Sequence, residues 1–330
     1  MAVLVTGGAG YIGSHMTLAL CDAGEEVVVL DDLSTGVRAN VDPRARLVLG
    51  DVSDQALVLR LIAEHGIRAV VHFAAKIVVP DSVADPLDYY LANTVKTRAL
   101  LAAVTGARVL HFVFSSTAAV YGNVSQEPVS ETIAPAPVSP YGASKLMSEW
   151  MLRDSAAAYG LKYVALRYFN VAGADPKGRS GQSTPNATHL IKVACETATS
   201  KRNGMSVYGT DYPTRDGTCI RDYIHVSDLV SAHMDALRYL RAGGDSEVMN
   251  CGYGTGYSVL EVLDAVKHVS GKDFPVTLGP ARAGDPAAIV ARADKIRAVL
   301  GWQPKLDDLQ TIVRHALAWE AKIPAKSAAA

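Results

Sequence analysis

The chain has 330 residues, 49% of them hydrophobic and 20% charged, and its 32 basic and 33 acidic residues leave a net charge of −1. This composition indicates a globular protein with a large core and argues against nucleic acid or an anionic membrane as a partner. No apolar run is long enough to span a bilayer, and no basic segment precedes the first apolar run, so we expect no signal peptide. The four cysteines are too scattered for a CxxC motif, which predicts buried thiols in the cytoplasm and no metal site.

The N-terminal region predicts a dinucleotide-binding unit. An apolar strand over 2–6 precedes Gly7-Gly8-Ala9-Gly10-Tyr11-Ile12-Gly13, and a helical pattern then runs to Gly24. The glycine spacing fits both GxGxxG and GxxGxxG, in which backbone N–H groups approach a pyrophosphate at a helix N-terminus. A second strand ends at Asp31, 18 residues after Gly13, where a carboxylate binds the adenosine ribose. Asp31 and Asp32 would repel a 2′-phosphate, so we predict NAD rather than NADP.

Strands and helices continue to alternate along the first half of the chain. The predicted strands are 46–49, 69–73, 111–114 and 163–166, and the predicted helices are 55–65, 86–104 and 141–159. This order predicts an α/β fold, a Rossmann-type doubly wound parallel sheet with right-handed crossovers. Ligands bind such sheets at the carboxyl ends of the strands, so we expect one edge to carry both the cofactor and the chemistry.

The alternation stops after Asn170. A loop over 173–188 precedes a helix over 187–201 and a strand at 207–208, and a second loop over 209–221 precedes a helix over 226–241. Residues 247–251 are predicted to return to the main sheet, followed by helices near 258–269, 294–300 and 307–320. We predict an NAD-binding domain formed by 1–172 and 222–251, a smaller mixed α/β substrate-binding domain formed by 173–221 and 252–324, and a frayed tail over 325–330.

Tyr141 and Lys145 are the candidate acid–base pair. They are four residues apart, so on a helix they lie on one face, and Ser139-Pro140 before them is typical of a helix start. A lysine ammonium beside a phenol favours the phenolate, so we expect Lys145 to lower the pKa of Tyr141 and make it a usable base near neutral pH.

The glycine motif, Ser115-Ser116-Thr117 and Tyr141-x-x-x-Lys145 together resemble the extended short-chain dehydrogenase/reductase superfamily. The segments 167–170 (Arg-Tyr-Phe-Asn) and 211–226 are similar to the signature of the UDP-glucose 4-epimerases, and the resemblance extends from Val3 to about Trp319. It implies reversible C4 epimerisation of UDP-galactose and UDP-glucose through a transient 4-keto intermediate, with tightly bound NAD. The product would serve galactose catabolism or polysaccharide synthesis.

The resemblance also implies roles for the catalytic residues. Tyr141 would take the proton of the sugar 4-hydroxyl while NAD+ accepts a hydride from C4. Lys145 would keep Tyr141 acidic and bind the nicotinamide ribose, and Thr117 would share the proton path or orient the 4-oxygen. The 4-keto sugar would then present its other face, and the hydride and proton would return.

Further binding residues follow from the resemblance. The NAD contacts would be Gly7, Gly10, Tyr11, Ile12, Gly13, Asp31, Asp51, Val52, Phe73, Ala74, Asn93, Tyr141, Lys145 and Phe169. The substrate contacts would be Thr117, Tyr141, Asn170, Leu190, Val207, Tyr208, Arg221, Arg282, Asp285 and Ile289. The guanidinium groups of Arg221 and Arg282 suit a diphosphate. We expect His72 and His225 to be structural. The family is usually a homodimer, and the candidate interface helices are 86–104 and 141–159.

Four positions depart from the commonest family pattern. Thr117 replaces a serine, which keeps the hydroxyl but stiffens χ1. Lys76-Ile77 stands where a lysine at the second position usually contacts the cofactor, so either residue is a candidate for that contact. His189 replaces an asparagine on the uracil side. Ile289 stands where a tyrosine often limits the sugar pocket, so acceptance of an N-acetylhexosamine stays open.

Three functional hypotheses follow. The first is the UDP-galactose/UDP-glucose 4-epimerase. The second is a sister enzyme, either a 4,6-dehydratase or a 4-epimerase for UDP-N-acetylglucosamine/galactosamine, UDP-glucuronate or UDP-xylose. Dehydratases carry an acid pair after the threonine, whereas Ala118-Ala119 follow Thr117, which argues against dehydration. The third is a non-catalytic NAD-sensing regulator, which would be expected to lose Tyr141 or Lys145.

Overall fold

A computed structural model describes residues 2–124, 128–184, 187–282 and 285–324. The predicted tail over 325–330 therefore lies outside the described residues. The strands are β1 (Ala2–Thr6), β2 (Val27–Asp31), β3 (Arg46–Leu49), β4 (Ile67–His72), β5 (His111–Ser115), β6 (Lys162–Tyr168), β7 (Asn170–Ala172), β8 (Met205–Tyr208), β9 (Ile220–His225), β10 (Glu247–Cys251), β11 (Gly256–Ser258), β12 (Val276–Gly279) and β13 (Ala288–Ile289). The helices are α1 (Tyr11–Asp22), α2 (Gln55–His65), α3 (Val79–Ala84), α4 (Pro86–Tyr89), α5 (Lys96–Gly106), α6 (Pro140–Tyr159), α7 (Leu190–Ala198), α8 (Val226–Arg241), α9 (Val259–Ser270), α10 (Asp294–Leu300) and α11 (Leu309–Lys322).

A seven-stranded parallel sheet forms the centre of the molecule. Its order is β10-β6-β5-β4-β1-β2-β3, and every neighbouring pair is parallel. The apolar run of β1 is buried throughout because helices cover both faces, with Val3 and Val5 in one core cluster and Leu4 in the other. This confirms the predicted Rossmann-type fold and the return of residues 247–251 to the main sheet.

The chain order reverses between β1 and β4. From β1 the chain adds β2 and β3 on one side, and then crosses to β4, β5 and β6 on the other. Two crossovers that leave in opposite directions open a crevice above the carboxyl ends of β1 and β4, where ligands bind in sheets of this type. The segments that follow Thr6 and His72 therefore lie at the natural binding edge.

Two smaller sheets lie in the second half of the chain. One contains β11, β9 and β13, with β7 also paired to β9, and the other pairs β12 with β8. Residues 220 and 221 were predicted to belong to a loop, and 222–225 had no predicted element, but all six form β9. The run Ile-Arg-Asp-Tyr-Ile-His is too short and too weakly patterned to be recognised as a strand, and its pairing partners come from distant segments.

The predicted helix over 86–104 is interrupted. The helices α4 and α5 are separated by a wide π-helical turn over Tyr90–Val95. Asn93 lies in that turn, and its buried amide donates to Lys76 O and Ser144 Oγ, each at 3.0 Å, and accepts from Lys76 N at 2.8 Å. The side chain of Asn93 thus connects the turn to helix α6, which carries the candidate acid–base pair.

A search of the described ranges finds no helix with the length and apolar character that crossing a membrane requires.

Candidate active site

The turn after β1 has the shape of an anion-binding site. Gly7 has φ +70°, and a Cβ there would lie 2.6 Å from the backbone N of Ala74. A Cβ on Gly13 would lie 2.1 Å from Gly7 O, so the first turn of α1 packs directly against the glycine turn. Helix α1 begins after Gly10 without a side-chain cap, which leaves the first-turn N–H groups of Tyr11 and Ile12 for an anion. These features fit the pyrophosphate of a dinucleotide.

The carboxylate of Asp31 lies beside this turn at the end of β2. It is buried, and its oxygens accept from Ala9 N and Leu33 N, each at 2.8 Å. Burial raises the pKa of Asp31, and the two backbone hydrogen bonds oppose that shift. Each carboxylate oxygen has a second lone pair for a ribose hydroxyl, so the position fits the predicted ribose contact.

The other predicted NAD contacts follow neighbouring strand ends. Asp51 follows β3, accepts from Ser53 N and Oγ at 2.8 and 2.7 Å, and pairs with Lys96. Phe73 N donates to Thr6 O at 3.0 Å, which places Phe73 and Ala74 next to the glycine turn. Val52 is buried beside Asp51. Lys76 pairs with Asp88 on α4, while neighbouring Ile77 is exposed, so the question of which one contacts NAD stays open.

Helix α6 begins as predicted. Ser139 caps it by accepting from Gly142 N at 3.2 Å, and Pro140 is its first residue. A Cβ on Gly142 would lie 2.5 Å from Ala119 O, so only glycine lets the first turn of α6 approach the short 3₁₀ turn over Ala118–Val120 this closely. That approach brings Tyr141 against Thr117.

The electrostatics of Tyr141 differ from the prediction. Burial raises its pKa above the ordinary value, the neighbouring Tyr168 adds to that shift, and a hydrogen bond from the Thr117 hydroxyl opposes it. The prediction that Lys145 lowers the pKa of Tyr141 is therefore wrong for the protein chain taken alone. Burial also lowers the pKa of Lys145 to about 7, although the carboxylate of Glu149 raises it. The side-chain amine of Lys145 is thus only partly protonated at neutral pH. Its Nζ lies 4.5 Å from the centre of the Phe114 ring.

The predicted nucleotide residues gather around the two smaller sheets. The guanidinium carbon of Arg282 lies 4.1 Å over the ring of Tyr208, at the end of β8. Arg221 on β9 donates to Asp285 at 3.4 Å and lies in register with Ile289 on β13. Both guanidinium groups are therefore placed by partners that leave donors for a phosphate.

The other predicted substrate residues are spread over several elements of the fold. Asn170 begins β7 beside β9, and Leu190 begins α7. Val207 is fully buried in the core, so a ligand could reach only its backbone. Phe169 packs with Leu146 of α6 in a small core cluster against which Ile289 also packs. This cluster connects the catalytic helix to the nucleotide residues.

The histidines have structural partners. His72 contacts Thr6 Oγ1 at 2.6 Å and Thr97 Oγ1 at 2.9 Å, and His225 caps α8 by accepting from Ser227 N at 3.0 Å. These hydrogen bonds are what the prediction of a structural role for His72 and His225 leads us to expect. His189 contacts Gln182 at 2.8 Å. In the described part of the chain no cluster of His, Cys, Asp or Glu has the arrangement of a metal site.

Two buried residues beside the site were not predicted. Glu149 lies one turn after Lys145 and forms a two-point ion pair with Arg167. The spacing of Tyr141, Lys145 and Glu149, each four residues from the next, is a readable signal because it places a third ionisable group on the same helix face.

Comparison with known proteins agrees with this geometry. Residues 3–252 match the model of the NAD dependent epimerase/dehydratase family. A UDP-glucose 4-epimerase of Azospirillum brasilense is 56% identical, over 97% of this chain and 92% of that protein. The crystal structure of UDP-glucose 4-epimerase from Brucella ovis in complex with NAD is 44% identical, with a TM-score of 0.94 over 96% of this chain and 97% of that one. The UDP-Glc/GlcNAc 4-epimerase of Campylobacter jejuni is 48% identical, with a TM-score of 0.85 over 98% of this chain and 99% of that one.

The chain therefore belongs to the NAD-dependent epimerase/dehydratase family. This confirms the family that the sequence motifs indicated.

Gly13→Ala tests the anion site. The added methyl would overlap Gly7 O, so we expect the purified variant to retain little NAD, whereas Gly106→Ala has open space around it and should retain the wild-type amount. NAD released by denaturation is measured by chromatography, with circular dichroism as a check on folding. Full NAD content in a folded Gly13→Ala protein would contradict the site.

Proposed function

We propose that this chain catalyses the reversible C4 epimerisation of UDP-galactose and UDP-glucose, with NAD retained through the cycle. The observation that carries the proposal is that Tyr141 and Lys145 are both buried one helical turn apart on α6, with the buried Thr117 close enough to lower the pKa of Tyr141. Thr117 follows the end of β5, at the carboxyl edge of the sheet where the glycine turn after β1 also lies. The family and the relatives confirm the predictions of an NAD-dependent isomerase and of NAD as its cofactor.

The residues of the chain divide the work between binding and proton transfer. When it is bound in its oxidised form, NAD supplies the hydride acceptor for C4, and its nicotinamide ring carries a positive charge. Tyr141 is the acid–base group at the sugar 4-oxygen, and Thr117 stabilises its phenolate by donating a hydrogen bond. Lys145, when protonated, adds a positive charge near the same oxygen. Burial raises the pKa of Tyr141. The positive charges of protonated Lys145 and of the nicotinamide ring therefore decide whether Tyr141 acts as a base.

The resemblance implied which residues contact NAD, and we propose the following division of the contacts among them. Gly7, Gly10, Gly13, Tyr11 and Ile12 bind the pyrophosphate. Asp31, Asp51, Val52, Phe73 and Ala74 bind the adenosine half, and Lys145 and Phe169 lie towards the nicotinamide. The side-chain amide of Asn93 is already used within the chain, so we propose that it acts mainly by positioning Ser144 and helix α6.

A second substrate class is supported by one residue. Ile289 packs against the small cluster that contains Phe169, at the wall between the catalytic and nucleotide residues. An isoleucine fills less of such a wall than a tyrosine, which leaves room for an N-acetyl group. The Campylobacter jejuni relative is a UDP-Glc/GlcNAc 4-epimerase. We therefore keep acceptance of UDP-N-acetylhexosamines as the second candidate activity, which the Ile289 variant below tests.

We also propose the predicted division into an NAD-binding domain (1–172 and 222–251) and a UDP-sugar-binding domain (173–221 and 252–324). The seven-stranded sheet, which lies wholly within the first of these units, supports it, although strand β9 runs across the proposed boundary between residues 221 and 222. We place the enzyme in the cytoplasm, because all four cysteines are free and buried and its cofactor and substrates are nucleotides.

We further propose that two copies of the chain form a homodimer through α4–α5 and α6. Leu87, Leu91 and Val95 recur every four residues and are 77%, 50% and 52% exposed, and Trp150 on α6 is 47% exposed. Thr94, between Leu91 and Val95, contacts α6 at Ser144 O, so the two helices present one surface. An apolar stripe on two adjacent helices is typical of an interface that pairs with its own copy.

Tyr141→Phe tests the acid–base assignment. Removal of the phenolic oxygen should lower kcat by about 10²- to 10⁴-fold while the bound NAD remains. Tyr163→Phe makes the same change at a buried tyrosine near the N-terminal end of β6, away from the carboxyl edge of the sheet, and should keep the wild-type kcat. Conversion of UDP-galactose to UDP-glucose is followed by NMR, and near-normal turnover by Tyr141→Phe would overturn the assignment.

Ile289→Tyr tests the pocket wall. The larger ring should lower kcat/KM for UDP-N-acetylgalactosamine about tenfold or more and leave UDP-galactose much less affected, because only the N-acetyl group needs the lost volume. Both substrates are measured on one preparation. An equal loss on both would remove Ile289 from the pocket wall.

Leu91→Glu tests the dimer. A charge in the centre of the apolar stripe should convert the protein to a monomer, as measured by analytical ultracentrifugation. Leu278→Glu is the control, because Leu278 is even more exposed than Leu91 (66% against 50%) but lies on β12, away from the stripe. If Leu91→Glu stays dimeric, or the wild type is a monomer, this interface is wrong.

A further inference from the structure

Glu149 is a buried carboxylate on the catalytic face of α6 that the proposed chemistry does not use. It is 4% exposed, four residues after Lys145 and eight after Tyr141. Side chains spaced by four residues are neighbours on a helix surface, so the carboxylate lies one turn from the lysine. A buried acid is costly unless it has partners, which directs attention to what surrounds it.

The carboxylate of Glu149 has three hydrogen bonds from two strands. Oε1 accepts from Ser116 Oγ at 2.5 Å and from Arg167 Nε at 3.0 Å, and Oε2 accepts from Arg167 Nη2 at 2.6 Å. Arg167 is also buried, and its guanidinium carbon lies 4.9 Å over the ring of Tyr121. This two-point geometry fixes both side chains.

These partners belong to the segments that carry the site. Ser116 directly precedes Thr117, and Ser116 N donates to Leu166 O at 2.9 Å, which places Ser116 beside Arg167 across β5 and β6. Arg167 in turn precedes Phe169 and Asn170 by two and three residues. One carboxylate thus connects the Thr117 segment, the helix of Tyr141 and Lys145, and the strand end that leads to the substrate residues.

The charge of Glu149 also acts on Lys145. Burial lowers the pKa of Lys145 and the Glu149 carboxylate raises it. None of the following groups around Lys145 carries a negative charge, and the Phe114 ring offers the ammonium only a cation–π contact. Phe114 on β5 presents its ring, Tyr141 is a neutral phenol, and burial together with Lys145 lowers the pKa of His72 to about 3, so that His72 is neutral. Arg167 on β6 is cationic and faces Glu149.

We propose that Glu149 is a positioning residue that keeps Lys145 protonated and, through Ser116, holds Thr117 against Tyr141. This inference rests on the proposed function, because it assigns Glu149 a role in the same acid–base site. Glu149 itself does not touch the reacting atoms. Its effect reaches the sugar through the charge of Lys145 and the position of the Thr117 hydroxyl.

Glu149→Gln in the holoenzyme tests the proposal by two measurements. Without the carboxylate, the pKa of Lys145 should fall by about one unit or more, so the ammonium form is lost at a lower pH. The alkaline limb of the kcat profile should therefore move to lower pH by the same amount. The pKa is read independently of activity by ¹³C NMR of protein labelled at lysine Cε, with the signal assigned by its absence in Lys145→Met.

Three variants separate charge from packing. Glu149→Asp keeps the charge and should leave the alkaline limb near its wild-type position. Ser116→Ala removes one hydrogen bond but no charge, so it should lower kcat without moving the limb. Glu149→Gln combined with Arg167→Met avoids an unpaired buried guanidinium, and its Lys145 pKa should lie between those of the wild type and Glu149→Gln. The double variant also provides the measurement if the single variant does not fold.

An unchanged pKa of Lys145 in Glu149→Gln, or in the double variant if only that one folds, would overturn the proposal. The same holds for a uniform fall in kcat at every pH, which a purely structural role would produce. Absence of UDP-galactose conversion by the wild type would instead count against the proposed function, while the NMR titration would still report whether Glu149 controls Lys145.

Discussion

The site depends on how closely helix α6 packs against the turn that follows β5. Gly142 permits that approach, since a side chain there would overlap Ala119 O. The approach buries Tyr141, Lys145 and Thr117 in one place at the carboxyl edge of the sheet. Burial then sets the electrostatics, because a buried phenol resists ionisation and a buried amine resists protonation. The proton chemistry must be restored by specific partners, and we propose the Thr117 hydroxyl and the Glu149 carboxylate for this role.

The sheet topology places the other half of the site. Because the chain order reverses between β1 and β4, the glycine turn and the segment after β4 meet above the same crevice. Contact between Gly7 and Ala74 is a direct consequence of that meeting. In the smaller sheets, Arg282 lies over Tyr208 of β8, and Arg221 of β9 lies in register with Ile289 of β13. We propose that the sugar lies beside Tyr141, with cofactor and nucleotide bound by different parts of the chain.

Sequence patterns predicted the parts of this account that depend on local chemistry. The strand, glycine turn and helix at the N-terminus, the start of α6 at Ser139-Pro140 and the sixth strand before Phe169 are each determined by residues close together in the chain. Strand β9 was missed because its neighbours β7, β11 and β13 come from distant segments. The wide turn at Asn93 was missed because its contacts are with Lys76 and with α6.

The pKa of Tyr141 is another property that local sequence did not predict, because it depends on the folded surroundings. Helical spacing correctly placed Lys145 beside it, and from that a lowered pKa was expected. Residue spacing does not show how deeply a side chain is buried, however. Burial raises the pKa of Tyr141, and it also lowers the pKa of Lys145, so that the neighbouring amine is only partly protonated. The two residues that hold the Glu149 carboxylate, Arg167 on β6 and Ser116 directly after β5, meet α6 only in the folded chain.

The most direct measurement is the conversion of UDP-galactose deuterated at C4, without added NAD, followed by NMR. Oxidation and reduction at C4 by a retained cofactor predict UDP-glucose that keeps the deuterium at C4. Product that carries solvent hydrogen at C4, or no conversion by the folded protein with its NAD bound, would contradict the account.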